Sequence, residues 1–324
     1  LSIDSIKAHA EGLNAFDLLV HALEGRKPDL VAALCIAEVT ARTSQLGKLG
    51  GCKAVADLFG PFEAGETFTL DASNVFLAGT FREARVSAYL AGDIQGAGRL
   101  GFGAVMLVDM RRSAIEDAWR IVEIKVQITW VEGASAQRPG WAFPNHNRIW
   151  QIGDPLPLIV SELDAPWRVY PQSGLQGDER SVVADTYARY SWAIDQADFD
   201  LLSSCYTPDA AGSFQPMGGL KGRHAIIGVL KDFRRAWPMM QHHGEVLETL
   251  IDGDVAAIIV GRIIPQAREP SGMFGAYYPM RLRRDGAGWR IAWTEYRPGW
   301  FTRDSLDLQT LVAATLSGQS DRFD

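Results

Sequence analysis

A carboxylate held beside an imidazole in an apolar cavity can trade a proton near neutral pH, because burial and the neighbouring charge move both groups toward the same range. The second half of the 324-residue chain holds the parts for such a pair: Asp195, and the adjacent histidines His242 and His243. Neighbouring residues of an extended strand face opposite sides, so at most one of these histidines shares a cavity with Asp195. The competing reading makes Asp195 a surface helix residue and the histidines ordinary strand residues. Tyr187, Tyr190, Trp192 and Tyr206 can stack on an aromatic ligand or hydrogen-bond to it, and each serves equally well as core packing. His224 falls at an exposed helix start and is set aside.

The closing strands add further groups. Strict alternation puts Trp289, Ile291, Trp293, Glu295 and Arg297 on one face of the second half. It puts Trp119, Ile121, Glu123, Lys125 and Gln127 on one face of the first, opposite Val122, Ile124, Val126 and Ile128. If the mixed face lines a cavity, Glu123, Lys125, Trp293 and Glu295 become candidates for chemistry or binding. Exposure of that face to solvent or to an interface is the alternative.

Other chemistries lack their residues. The sequence has no GxSxG elbow, P-loop or HExxH, and its three cysteines, Cys35, Cys52 and Cys205, show no paired spacing. They read as buried thiols in a reducing compartment. Two adjacent histidines do not by spacing make a zinc site, so neither metal nor cofactor is expected. The glycine-rich Gly96–Gly103 lies between strands and does not open a helix, which argues against a dinucleotide site. A net charge of −7 argues against a broad nucleic-acid surface. No apolar run reaches the roughly 18 residues of a membrane span, and Leu1–Glu11 has no signal-peptide core, so a cytoplasmic protein is expected.

The elements that must position these residues come twice. Displaced by 171 residues, the chain meets itself: Ala22 falls on Ala193, Glu24 on Asp195, Asp29 on Asp200, Leu49 on Leu220 and Gly51 on Gly222. With a drift of one, Phe102-Gly103-Ala104 falls on Phe274-Gly275-Ala276, and Trp119-Arg120-Ile121 on Trp289-Arg290-Ile291. A period this long is a duplicated domain, not a solenoid. In the second copy a helix capped by Asp178 or Ser181 carries Val183, Tyr187, Tyr190 and Ile194 at helical spacing. A short helix with Phe199, Leu201 and Leu202 stops near Pro208, and a third spans Arg223–Ala236, ended by Pro238. Two hairpins follow, turning at Asp252-Gly253-Asp254 and at Asp285-Gly286. The first copy repeats the order, with strands near Phe68–Leu77, Ala84–Ala91, Gly103–Arg111 and Ala118–Trp130. Helices followed by a meandering antiparallel sheet make an α+β fold.

The expected layout is a domain at 1–131, a connecting segment at 132–177, a domain at 178–304 and a tail at 305–324. The connecting segment holds Pro139, Pro144, Pro155, Pro157, Pro166 and Pro171, with Trp141, Trp150, Trp167 and Tyr170. Such aromatic content predicts a segment that packs on the domains and covers a pocket, or a proline-stiffened strap. In the tail, Leu306–Leu316 reads as helix and the remainder as frayed.

The ordered set Tyr190-Ser-Trp-Ala-Ile-Asp195-Gln-Ala-Asp-Phe-Asp200, Gly222-Arg-His-Ala-Ile226, Gln241-His-His243 with Ile251-Asp-Gly-Asp-Val-Ala256, and Asp285-Gly with Trp289-Arg-Ile resembles SnoaL-like domains of the NTF2-like superfamily, over about Asp178–Trp300. The resemblance implies two tandem cystatin-type cones, each with N-terminal helices packed on a curved antiparallel sheet. That superfamily includes scytalone dehydratase, ketosteroid isomerase, limonene epoxide hydrolase, polyketide cyclases and non-catalytic members, so fold does not fix function. By resemblance to scytalone dehydratase-like members, Asp195 matches the first-helix aspartate and His242 or His243 the first-strand histidine. A second family histidine has no match, and Tyr277 and Tyr278 stand there instead; Tyr278 becomes a catalytic candidate and Tyr277 a binding one. In the first copy Glu24 takes the place of Asp195, and no histidine stands near Phe68-Thr69. The duplicated layout and aromatic load also resemble tandem lyases that remove formaldehyde from lignin-derived aromatic dimers.

These readings converge on a cofactor-independent lyase acting on an aromatic or polyketide-like small molecule by acid–base elimination. Asp195 with His242 or His243 would move protons and tyrosines would hold a phenol or carbonyl. An isomerase or hydrolase using the same cup, and a non-catalytic ligand-binding or scaffold protein, are the alternatives. The expected partner is a small, aromatic molecule, with neither nucleic acid nor membrane involved and homo-oligomerisation left open.

Overall fold

Ser2 accepts a hydrogen bond from the Ser5 amide and so starts α1 (Ile3–Glu24), whose Phe16, Leu19, Val20 and Leu23 are buried. In the computed structural model the described residues are 2–113, 115, 117–143, 159–215, 217–236, 240–265, 273–286 and 288–319. The chain divides into two units, Leu1–Gly177 and Asp178–Asp324. In the first, α1 is followed by α2 (Pro28–Leu34), β1 (Cys35–Thr43), β2 (Gly47–Gly50), α3 (Cys52–Ala56), β3 (Thr67–Gly79), β4 (Glu83–Gln95), β5 (Arg99–Arg112), β6 (Trp119–Gly133) and the single turn α4 (Pro166–Val169). The second runs α5 (Glu179–Asp195), α6 (Phe199–Cys205), β7 (Tyr206–Phe214), β8 (Gly218–Lys221), α7 (Arg223–Ala236), β9 (Gly244–Asp252), β10 (Val255–Arg262), β11 (Met273–Asp285), β12 (Gly288–Thr302) and α8 (Leu308–Ser317).

The sheets have the same plan, β2-β1-β6-β5-β4-β3 and β8-β7-β12-β11-β10-β9. Each unit is thus the α+β arrangement of N-terminal helices on a mainly antiparallel sheet. The sheet is not a pure meander. β1 runs parallel to β6, and β7 runs parallel to β12. β1 and β7 escaped the sequence reading because each follows a helix without a turn, and β2 and β8 because each is four residues long. Pro208 is not the helix stop that the sequence suggests: it lies inside β7, in the irregular stretch between the paired Tyr206 and Ala211 where no ladder bond is lost. Pro238 lies outside the described residues.

The strand faces of β6 and β12 depart from strict alternation. In β6, Glu123 pairs with Asp109 and Ile121 with Met110, so Val122 is an extra residue. In β12, Trp293 pairs with Arg281 and Ile291 with Leu282, so Ala292 is extra at the matching place. Each extra residue is a bulge that reverses the alternation. Trp119 and Ile121 therefore join Ile124, Val126 and Ile128 in the core of the first unit, and do not share a face with Glu123 and Lys125.

The described part of the connecting segment belongs to the packing of the first unit. Arg138 donates to both Glu66 oxygens, at 3.1 and 2.8 Å, with both side chains buried. Trp141 enters the core edge-on to Phe102 at 5.5 Å, and its indole N–H donates to the Gly60 carbonyl. Further on, Trp167 meets Phe76 edge-on at 4.9 Å and Leu175 is buried in the same core. Pro144, Trp150, Pro155 and Pro157 lie outside the described residues. In the second unit α8 buries Val312 against Ala257 and Ile259 of β10. Replacing Trp141 by Ala is expected to destabilise the first unit by about 3–5 kcal/mol. Amide hydrogen exchange across β3–β6 should accelerate, with exchange in the second unit unchanged.

Candidate active site

The candidate site of the second unit begins at the end of α5. Asp178 caps that helix by accepting from the Ser181 amide at 2.8 Å, and Val183, Tyr187, Tyr190 and Ile194 form its inward stripe. Asp195 is its last residue. Arg234 of α7 donates to the terminal carbonyls, through Nε to Ile194 at 3.0 Å and through its terminal nitrogen to Asp195 at 2.7 Å. A helix end left with orphan carbonyls thus finds a cation, which also offsets the partial negative charge there.

The Asp195 carboxylate grips His242 twice. The His242 backbone N–H donates to Oδ2 at 2.7 Å, and its ring Nδ1 lies 2.6 Å from Oδ1. Both side chains are buried, Asp195 at 6% and His242 at 4% exposure. A carboxylate only accepts, so Nδ1 carries the hydrogen and Nε2 is left as the basic nitrogen. Burial holds the His242 pKa below its ordinary value, outweighing the opposing pull of Asp195. The ring is therefore neutral at neutral pH.

His242 borders a cavity of about 160 Å³, with Tyr190 and Ile194 from α5, Leu230 and Phe233 from α7, Arg262 from β10, Tyr278 from β11 and Tyr296 from β12. Tyr190 stands edge-on to the His242 ring at 6.2 Å. The Tyr187 hydroxyl donates to the His242 carbonyl at 3.2 Å. Tyr187 is packed so closely on Gly244 that a Cβ there would collide with the hydroxyl. Arg262 donates to the Tyr278 hydroxyl at 3.2 Å and to the Gln241 carbonyl at 3.4 Å. Burial raises the pKa of Tyr278 and of Tyr190, so both remain hydroxyls and can donate. Among the described residues no group of three or more His, Cys, Asp or Glu side chains is placed to hold a metal ion.

The first unit does not repeat this arrangement. Glu24 occupies the position of Asp195 and still accepts a backbone N–H, that of Leu70, at 3.4 Å. Leucine there replaces the imidazole. Phe59, Phe68, Phe102 and Trp141 fill the space against the sheet.

The model of the SnoaL-like domain family matches residues 178–294. An uncharacterised protein of Mycobacterium tuberculosis is 30% identical over 118 residues, spanning 35% of this chain and 80% of its own length. The chain belongs to the SnoaL-like family. Among solved structures, an NTF2-like protein with a cystatin-like fold from Novosphingobium aromaticivorans is 25% identical, covering 43% of this chain and 89% of its own, with a TM-score of 0.31. The hexachlorocyclohexane dehydrochlorinase LinA-type3 of Novosphingobium barchaimii is 11% identical, covering 41% and 94%, with a TM-score of 0.36.

In this SnoaL-like chain the structure brings Asp195, His242, Tyr190 and Tyr278 together. His243 is buried away from the cavity, its ring 3.3 Å from the Gln241 side-chain oxygen. Trp192 and Tyr206 are buried outside the lining, Tyr206 edge-on to Tyr190 at 6.2 Å. Tyr277 lies on the other face of the sheet and accepts from Arg297 at 3.2 Å, and Arg297 pairs with Glu295. The Ala292 bulge sends Trp293 and Glu295 to that same face, away from the cavity. Glu123 pairs with Arg42 at 2.8 Å and Lys125 with Asp164 at 2.6 Å, both within the first unit. Sequence reasoning missed Arg262, although a lone charge in the apolar run Val255–Ile264 was its signal.

His243 is held to a pKa of about 3, chiefly by burial. The unfolded ring takes up a proton near about pH 6.5 and the folded one does not, so acid favours the unfolded chain between these values. Between about pH 7.5 and about pH 5.5 the protein should lose on the order of 1 kcal/mol through this residue. A His243→Gln variant should show a correspondingly flatter dependence in denaturant titrations across that interval.

Proposed function

We propose that the second unit is a proton-transfer lyase whose base is His242, with Asp195 as its positioning residue. The observation that carries this reading is the buried 2.6 Å contact between the two at the wall of the cavity. Nε2 removes a proton from a carbon of the substrate, the C–H electron pair becomes a new double bond, and a hydroxyl leaves from the adjacent carbon. The proton taken by Nε2 is returned to the departing hydroxyl as water. The site ends as it began, so this chemistry consumes no external cofactor. Tyr278 donates a hydrogen bond to the substrate oxygen on which charge builds up.

Size narrows the substrate. An engineered protein cavity of about 150 Å³ holds benzene, and the cavity here is about 160 Å³. One ring fits, and a second ring of an aromatic dimer would have to lie outside. We therefore favour dehydration of a single-ring hydroxylated phenol or carbonyl compound over removal of formaldehyde from a two-ring substrate. For the first unit a non-catalytic role is favoured, because Leu70 replaces the imidazole and aromatic side chains fill the interior.

The test is turnover of single-ring hydroxy-ketones and phenolic alcohols by the full chain, followed by absorbance and by loss of water in the product mass. His242→Gln is expected to lower kcat/KM by about 10²–10⁴-fold. Since the His242 pKa is lowered, kcat/KM should hold below about pH 6.5, the ordinary histidine value, and fall only at more acid pH. Full turnover by both His242→Gln and Asp195→Asn would remove the assignment. An isomerised product of unchanged mass would keep the base and overturn the elimination.

A further inference from the structure

Arg180, Arg283, Arg284, Arg290, Arg297 and Arg303 each pair with an aspartate or glutamate. Arg262 differs. It borders the cavity, and its hydrogen bonds go to two neutral oxygens, the Tyr278 hydroxyl and the Gln241 carbonyl. Among the described residues no carboxylate forms an ion pair with it. The strand leaves it no choice of direction: Val260 is paired with Tyr278 across the β10–β11 ladder, and Arg262 is two residues on, on the same face. Asp195 acts on it only through space, and a guanidinium taken out of water without a carboxylate in contact is costly. It is also the group best suited to receive an anion.

We propose that Arg262 and Tyr278 form a receptor for a single oxyanion, and that the ligand is a one-ring phenol or enol bound there as its anion. Tyr278 accepts from Arg262, so its own O–H is available to donate, and the cation strengthens it as a donor. Both terminal nitrogens of Arg262 already have a protein partner. A lone oxygen suits this arrangement better than a carboxylate, which asks for two parallel bonds from one guanidinium. Tyr190, Phe214, Phe233 and Tyr296 supply flat walls for the ring. The inference rests on the proton-transfer reading for its purpose: once His242 has taken the C–H proton of a carbonyl substrate, the C–H electron pair resides on this oxygen as an enolate, and the receptor holds that anion until the pair returns to expel the hydroxyl.

4-Nitrophenol, whose anion is coloured and whose neutral form is not, is the probe. Titrated with pH in the presence of the full chain, bound nitrophenol should ionise at least one pH unit lower than free, a preference of about 10-fold or more for the anion. Arg262→Met should abolish that shift, Arg262→Lys should retain part of it, and Tyr278→Phe should reduce it. Benzoate should compete less well than the nitrophenolate. His242→Gln should lower kcat/KM by about 10²–10⁴-fold and leave the shift in place, which separates failure of the receptor from failure of the base. Preferential binding of neutral nitrophenol, a shift that survives Arg262→Met, or tighter binding of benzoate would each overturn the proposal.

Discussion

The contact that the second unit is built around is the double hold of Asp195 on His242. One carboxylate accepts both a backbone N–H and a ring N–H from the same residue. This fixes the ring, its tautomer, and the position of the chain entering β9 relative to the end of α5. Other features follow as supports. Arg234 closes the carbonyls of the helix that carries the carboxylate, Tyr187 ties down the His242 carbonyl, and Gly244 makes room for Tyr187. A buried pair broken by removing one partner leaves an uncompensated polar group, so this arrangement tolerates little loosening. Its electrostatics are those of a base. Burial disfavours the imidazolium more than the neighbouring carboxylate favours it, and the ring stays neutral and ready to accept.

The duplicated fold shows what that contact requires by omitting half of it. The first unit keeps an acid at the end of its first helix and keeps the backbone bond, from Leu70 to Glu24. It does not keep the imidazole, and the interior is given over to packing. Phe59 and Phe102 stack at 5.3 Å, Trp141 closes against them, and the buried Arg138–Glu66 pair anchors the segment that delivers Trp141. The carboxylate-to-backbone bond is thus a feature of the fold common to both units, joining helix end to first long strand. The ring-to-carboxylate bond is an addition, and it stands at the wall of the second unit's cavity.

How far these features were legible depends on the range of the interaction. Duplication, helix starts such as Asp178, and the long hairpins are encoded in local pattern and were readable. Asp195 and His242 were named as partners from their residue types and family resemblance, but the choice between His242 and His243 depends on where β9 begins, which local pattern leaves open. The face assignments failed for one reason, a single extra residue in β6 and in β12. Val122 and Ala292 look like ordinary strand residues, and only the pairing with Asp109-Met110 and Arg281-Leu282 exposes the slip. Everything beyond them changed side, which carried Trp293, Glu295, Glu123 and Lys125 away from the positions assumed for them. Arg262 belongs to no local motif, and only the fold shows that β10 carries it to the cavity wall.

The same slip gives the bulges a constructive role. Tyr296 borders the cavity, and Thr294, two residues before it, is buried beneath the same face. Without the extra Ala292, the alternation that places Ile291 inward would carry Trp293, Glu295 and Arg297 inward as well. Glu295 would then enter a space bordered by Arg262, where a fixed carboxylate would satisfy the guanidinium and occupy the place of an anionic ligand. On the outward face Glu295 pairs with Arg297 instead. One inserted residue therefore separates the two charge systems of the sheet, keeping a self-neutralised pair on one side and an arginine with neutral partners on the other. The matching bulge at Val122 keeps Glu123 and Lys125 out of the first interior, where neither would find water or a counter-ion among Phe59, Phe102 and Trp141. A device needed in the first unit to keep charge out of a filled core serves in the second to keep the cavity's arginine without a carboxylate partner.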